Sequence, residues 1–375
     1  MRGFWWIRII ATSSALGFCG ALNAAQAQAP TPNLPEVPEV YKFDSGWPKA
    51  LPNNWVMGTV TGMYVDREDH IWVLDRPGNT PAGKTAAPAV LEFDIAGNLL
   101  RSWGTEASAP AGVWPRAVHT IFVDREHNVW LAGAASGDTL LKFTPDGKFL
   151  GEFGHRGPIV ERQGMIQDNQ SKILLLGVSS AALDEDANEI FIADGYLNRR
   201  VIVFNTKTGE FKRGWGAYGK PIPEISNDPQ TAHDPNDLHA ADFKSPVHCV
   251  RISNDGLVYV CDRAGDRVQV FTKQGKFLKE FHVANATLGG GSVGSVDFSS
   301  DPVQKYIFIA DLVNATVWQL DRQSGEILGH VSHKGTNPGE LFAPHVAAMD
   351  SKGSVYVGEI GQGSRVQKFV PSAAN

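Results

Sequence analysis

Apolar and polar residues alternate along most of this chain, and they do so in two recurring phrases. The first is an apolar run, a turn containing Asp, and a second apolar run that usually ends in Asp or Glu. It reads MYVDREDHIWVLD at 63–75, IFVDREHNVWLAG at 121–133 and AALDEDANEIFIAD at 181–194, and recurs at 250–262, 296–311 and 347–359. The second is an alternating strand, a Gly-containing turn and a further strand. It reads VLEFDIAGNLLRSWG at 90–104 and VQVFTKQGKFLKEFH at 268–282, with equivalents at 140–154, 201–216 and 317–331. Alternating β-branched and aromatic residues broken by such turns predict hairpins, and no long stretch carries a helical period. Two hairpins per unit and six units predict an all-β fold: a six-bladed β-propeller of four-stranded blades, rather than an open β-sandwich. The last unit offers one strand, Val366–Val370, after its first hairpin, and Val40–Asp44 reads as the missing one. An N-terminal strand would then close the ring and remove its free edges.

The repeat gives meaning to three histidines. His119, His248 and His345 open the first strand of units two, four and six, in the contexts WPRAVH, SPVH and FAPH. Alternate blades of a six-membered ring lie a third of a turn apart, so three imidazoles are expected to point at one place on the axis. Three neutral imidazoles with an open fourth position suit a catalytic zinc ion; an iron site of two histidines and one carboxylate is also compatible with the spacing. The competing reading is that each His fills its slot by hydrogen bonding alone. The other eight histidines lack this symmetry; those in the long inserts and near strand ends (His155, His233, His239, His282, His330, His333) are expected to be solvated.

In a four-stranded meander the start of the first strand and the end of the second share a mouth. The residues after the second strand therefore join the histidines: Arg76 after Asp75, Gly195-Tyr196 after Asp194, and Arg263 after Asp262. Guanidinium forks suit a substrate carboxylate, with a salt bridge to the neighbouring Asp (and Asp266 for Arg263) as the structural alternative. Tyr196 is a candidate base, or else a packed ring. Asp75, Asp194, Asp262 and Asp311 read as turn-stabilising. Two long connections between blades, about 155–177 and 217–244, open on the same face and are placed to wall a pocket.

Composition narrows the partners. The first 27 residues have a basic start, a short apolar core and an Ala25-Gln26-Ala27 site, the pattern of a signal peptide, so the expected organisation is 1–27 signal peptide, 28–39 linker and 40–375 propeller. The mature chain is expected in the periplasm or outside the cell, as a monomer without a membrane span. Loss of Arg2 and Arg8 moves the net charge from −6 to −8. With no basic cluster, that balance argues against nucleic acid or an anionic membrane as partner. Only Cys249 and Cys261 remain; they flank one hairpin about one position out of register, which leaves their redox state open.

The strand phrases look like NHL repeats, and over residues 55–370 the combination resembles the peptidyl-α-hydroxyglycine α-amidating lyase (peptidylamidoglycolate lyase) family. The family's Pro-His ligand motif stands here as Pro344-His345, loosened to Pro246-Val247-His248 and Ala117-Val118-His119. Its catalytic Tyr loop is matched by Asp194-Gly195-Tyr196-Leu197-Asn198-Arg199-Arg200, and its substrate arginines by Arg76 and Arg263. The resemblance implies one zinc ion on His119, His248 and His345, Tyr196 as base, Arg76 and Arg263 on the carboxylate of a small-molecule or peptide substrate, and cleavage of a carbinolamide to an amide and glyoxylate. Two positions depart from the pattern. The Asp used for a structural calcium is Val346, so calcium is not expected, and the Met before Pro-His is Ala343. The alternatives are a non-catalytic propeller that binds protein or glycan, and a different metal-dependent lyase or hydrolase on the same scaffold.

Overall fold

The computed structural model describes residues 34–78, 80–135, 137–156 and 167–372. The expected signal peptide lies outside the described residues. The first hairpin of each unit is built locally. In blade 1 the Asp66 carboxylate accepts the Glu68 and His70 backbone N–H groups at 2.9 and 2.9 Å and the Trp72 indole N–H at 2.8 Å. Asp124 repeats this in blade 2 with Glu126, Asn128 and Trp130, at 3.0, 2.8 and 2.9 Å. A carboxylate that satisfies the turn amides and then grips the returning strand explains the recurrent D-x5-W phrase.

Six four-stranded antiparallel sheets result. Blade 1 comprises Thr59–Val65, Ile71–Arg76, Val90–Phe93 and Leu99–Trp103. Blade 2 comprises Val118–Val123, Val129–Gly133, Leu140–Phe143 and Phe149–Phe153, and blade 3 Val178–Asp184, Glu189–Asp194, Arg200–Asn205 and Phe211–Trp215. Blade 4 is Val247–Ile252, Leu257–Asp262, Arg267–Thr272 and Phe277–His282; blade 5 is Ser295–Phe298, Tyr306–Asp311, Thr316–Asp321 and Ile327–His330. Blade 6 takes Pro344–Met349, Val355–Glu359 and Val366–Pro371 from the C-terminal end and Tyr41–Phe43 from the N-terminal end. The fold is the six-bladed propeller expected from the repeat. First strands pack on first strands of neighbouring blades around the axis. Second strands are buried along nearly their whole length, whereas fourth strands alternate toward solvent. The described helical segments are three-residue 3-10 turns, and no helix among the described residues is long and apolar enough to cross a membrane.

Adjacent blades are keyed by aromatic rings seated on turn glycines. A Cβ on Gly147 would lie 2.5 Å from the Trp103 ring of the preceding blade, and one on Gly275 would lie 2.6 Å from Trp215. Both glycines also have φ near 80° (82 and 84°), so the turn geometry and the ring contact both require Gly. The closing strand pairs Tyr41 with Pro371 and Phe43 with Phe369, and Tyr41 packs edge-on against Phe308 of blade 5 at 5.7 Å.

The register of blade 4 corrects the sequence-based expectation for the cysteines. Cys249 lies directly opposite Cys261, and the two form a disulfide across a Cα–Cα distance of 4.8 Å. The turn runs one residue further than Ser253–Gly256, because the Ser253 N–H donates to the Leu257 carbonyl, and that extra residue brings the sulfurs into line. Ring closure and this cross-link yield two expectations for urea unfolding. Tyr41→Ala should cost about 3 kcal/mol, the usual loss for truncating a buried aromatic, and a loss below about 1 kcal/mol would refute closure by this strand. Replacing both cysteines by Ser should cost about 2–3 kcal/mol for so short a loop.

Candidate active site

The first strands of five blades carry a β-bulge at one shared position. Pairing skips Thr61 in blade 1, His119 in blade 2, Ser179 in blade 3, His248 in blade 4 and His345 in blade 6. In blade 5 the same place is held by Gly294, whose N–H donates to Ala310. A bulge takes one residue out of the ladder and re-aims its side chain, which is how a strand otherwise committed to sheet packing presents an imidazole to the axis.

The blades without histidine hold the rings in place. His119 Nδ1 donates to the Ser179 carbonyl at 2.8 Å, and His248 Nδ1 to the Gly294 carbonyl at 2.5 Å. His345 Nδ1 is buried and faces the Thr61 carbonyl without completing a hydrogen bond of ordinary geometry. His119 and His248 are thus oriented by the first-strand residue of the next blade around the ring, and His345 faces Thr61 in the same relation. Such a bond sets the Nδ1–H tautomer and leaves Nε2 as a lone-pair donor. Hydroxyls extend the pattern: Thr61 Oγ donates to the Val118 carbonyl at 2.9 Å, and Ser179 Oγ to the Val247 carbonyl. These are the functional positions that the sequence analysis missed, although counting the slot through units one, three and five leads to Thr61, Ser179 and Gly294.

The three rings converge. Their centroids lie 5.1, 4.9 and 4.8 Å apart, and one ligand atom of each falls within 4.8 Å of the others. All three are about 95% or more buried. Burial holds His119 and His248 well below the usual imidazole pKa, and the neighbouring His345, Arg76 and Arg263 add to the effect. His345 is lowered to about 3, first by burial and then by Arg263 and Arg76. Neutral imidazoles aimed at a common point are the donor set that zinc requires, so these residues fit that ion.

Tyr196, Arg76 and Arg263 meet at the same mouth. Tyr196 Oη lies 2.7 Å from His119 Nε2 and 3.1 Å from His248 Nε2. Its loop is held by both long inserts. Asn198 Oδ1 accepts the Asp168 N–H at 2.9 Å, the Arg199 N–H donates to Asn169 at 2.7 Å, and Ser245 Oγ donates to the Gly195 and Tyr196 carbonyls at 3.0 and 3.1 Å. Asn169 and Gln170 in turn hydrogen-bond to Ser226, Asn227 and Ile225. The described parts of the inserts therefore brace the tyrosine loop. Gly195 is needed for that close approach, since a Cβ there would sit 2.0 Å from the Val247 carbonyl oxygen.

Neither arginine forms the salt bridge that was the structural alternative. Arg76 Nη2 donates to the Val118 carbonyl at 2.8 Å and its Nε is buried without a partner; Arg263 Nε donates to the Gly290 carbonyl at 2.9 Å. No carboxylate among the described residues lies within ion-pair distance of either. The aspartates after the second strands are occupied elsewhere. Asp75, Asp194 and Asp262 cap the incoming connections through the Gly58, Leu176 and Lys244 N–H groups, at 2.6, 2.7 and 2.8 Å, and Asp194 and Asp262 are neutralised by Arg200 and Arg267. Asp75 has no such cation, and burial raises its pKa to about 7.

Two further expectations need correcting. His233 is not solvated: its side chain is 7% exposed, with Nε2 2.9 Å from the Asn285 carbonyl and 3.4 Å from Asp266. His282 likewise has both ring nitrogens buried. Both follow from the second insert folding down onto blade 4. Beyond the histidines, a narrow cavity lies along the axis between the first strands. Val346 lines it, together with Arg251, which pairs with Asp297 at 2.5 Å.

Depressed imidazole pKa values carry a definite sign. The unfolded chain takes up these protons near pH 6.5 and the folded chain does not, so the stability that these groups contribute falls as pH drops below about 6.5. In metal-stripped protein the ring signals of His119, His248 and His345 should remain those of neutral imidazole between about pH 8 and 5 by NMR. A midpoint near the ordinary value for any of them would contradict the buried, carbonyl-held arrangement.

No protein-family model matches the chain. Human NHL repeat-containing protein 3 is 27% identical over 341 residues, covering 88% of this chain and 84% of the human protein. Peptidyl-α-hydroxyglycine α-amidating lyase 1 of Drosophila melanogaster is 25% identical over 388 residues, covering 93% of this chain and 65% of the fly protein. Among solved structures, a Bacteroides thetaiotaomicron protein of unknown function superimposes with a TM-score of 0.56 at 13% identity, over 90% of this chain and 75% of that one. The chain is a six-bladed β-propeller whose sequence resembles NHL repeat proteins and the amidating lyases.

Proposed function

We propose that this protein is an exported, zinc-dependent lyase that cleaves the C–N bond of a carbinolamide bearing a carboxylate, of the peptidyl-α-hydroxyglycine type, to an amide and glyoxylate. The observation that carries the reading is the Tyr196 hydroxyl seated on the ring nitrogens of His119 and His248, at 2.7 and 3.1 Å, in a mouth flanked by two guanidiniums without carboxylate partners. His119, His248 and His345 would hold the zinc ion, which when bound supplies Lewis acidity toward a substrate oxygen. Arg76, with Arg263, takes the substrate carboxylate and sets the direction of the C–N bond. Tyr196 accepts the proton of the substrate hydroxyl. The C–O bond becomes a carbonyl as the C–N bond breaks, and the electron pair leaves on the amide nitrogen, which takes up a proton.

The Val346 side chain offers no oxygen to the axial cavity that it lines, so the proposal includes no calcium. The Cys249–Cys261 disulfide accords with an oxidising compartment outside the cytoplasm. The mature chain is proposed to act as a monomer.

Purified protein carrying about one zinc ion at this centre should release glyoxylate from α-hydroxyhippurate. His248→Ala should lose both that metal and the activity. Tyr196→Phe should keep the metal and lower kcat by about 10²–10⁴-fold, the span of a general base, while Arg76→Ala should act mainly on KM. A protein without bound metal at the histidines, or one indifferent to Tyr196→Phe, would instead fit a non-catalytic binding propeller.

A further inference from the structure

On the opposite face of the propeller, blade 1 departs from its neighbours at the corner where Asp66 grips Trp72. The residue across the sheet from this aromatic is Lys142 in blade 2, opposite Trp130, and Lys368 in blade 6, opposite Tyr356. In blade 2 the Lys142 ammonium neutralises Asp124 at 2.9 Å. In blade 1 the equivalent residue is Glu92, opposite Trp72, so two carboxylates face one another where the neighbouring corner holds a carboxylate and an ammonium. His70 stands between them. Its Nδ1 is 2.8 Å from Glu92 Oε1, 3.9 Å from Asp66 Oδ2 and 3.9 Å from Glu68 Oε2.

Glu92 is the telling residue. It is 1% exposed. Arg101 Nη1 occupies one of its oxygens at 2.6 Å, whereas Oε1 is buried and has beside it only the His70 Nδ1, at 2.8 Å but outside hydrogen-bond alignment. A desolvated carboxylate oxygen without a donor is costly unless a cation faces it. The surroundings are prepared for one. Asp66 is locked by two backbone N–H groups and the Trp72 indole, and one ligand atom each from Asp66, His70 and Glu92 lie within 4.8 Å of one another. The His70 side chain is 26% exposed, which leaves a route from solvent.

We infer that Asp66, His70 and Glu92 form a second metal site, for a divalent transition ion bound by one imidazole nitrogen and two carboxylate oxygens. One imidazole with two carboxylates suits zinc or manganese better than calcium. The ion would tie the first hairpin of blade 1 to its third strand, as the Lys142 ammonium does in blade 2. The site stands apart from the axial histidines and does not depend on the lyase reading.

The test is calorimetric titration of the metal-stripped full chain with Zn²⁺, repeated with Co²⁺ for its visible spectrum. The expected result is about two equivalents, one per site. His70→Ala and the isosteric Glu92→Gln should each remove about one equivalent while leaving the axial one, and His345→Ala should do the converse. If His70→Ala and Glu92→Gln, shown to be folded by circular dichroism, bind as much metal as the unaltered chain, the site does not exist. His70 then only bridges the carboxylates by contact.

Discussion

The hydrogen bond from an imidazole Nδ1 to a carbonyl of the next blade is the interaction on which the candidate centre rests. It does three things at once. For His119 and His248 it fixes the tautomer, aims Nε2 at the axis, and ties the histidine blade to a blade without histidine. Because the acceptors are the carbonyls of Ser179 and Gly294 in the same strand position, with Thr61 facing His345, the six blades fall into three couples, two of them joined by this bond. Burial then keeps the rings neutral, the protonation state in which imidazole can serve as a ligand.

That geometry demands a rigid scaffold, and the repeat supplies it by local means. Asp residues close the first hairpins, turn glycines admit aromatic rings from the preceding blade, and a strand from the N-terminal end completes the last sheet. Each device is short in sequence, but their joint effect is a closed ring in which a one-residue error in a first strand would misplace an axial histidine. The long inserts contribute where the ring cannot. They reach across the mouth side and clamp the Gly195–Arg199 loop, so the tyrosine is held by irregular backbone with satisfied polar groups rather than by sheet.

Charge is managed differently on the two faces. At the mouth, carboxylates that might have neutralised Arg76 and Arg263 are committed to backbone amides or to Arg200 and Arg267, which leaves two guanidiniums turned toward the histidines. On the far face Glu92 breaks the Lys pattern of blades 2 and 6 and sets a second buried carboxylate beside Asp66, held by Arg101 on one oxygen and facing His70 with the other. Both features arise from single positions within an otherwise regular repeat.

Much of this was legible in the chain itself. The period of the hairpin phrases determined the blade number and the closing strand, because side-chain alternation and turn chemistry are local properties. The recurrence of His119, His248 and His345 in every second unit determined that they meet, because rotational symmetry converts spacing along the chain into position about an axis. Other features were decided only by tertiary structure. The Cys249–Cys261 register hinged on one residue in a turn, and the burial of His233 and His282 on where an irregular insert comes to rest. The freedom of Arg76 and Arg263 from their neighbouring aspartates depended on which donors reach those carboxylates first. The roles of Thr61, Ser179 and Gly294 are carried by backbone carbonyls, which every residue type possesses, so no side chain in the sequence announces them.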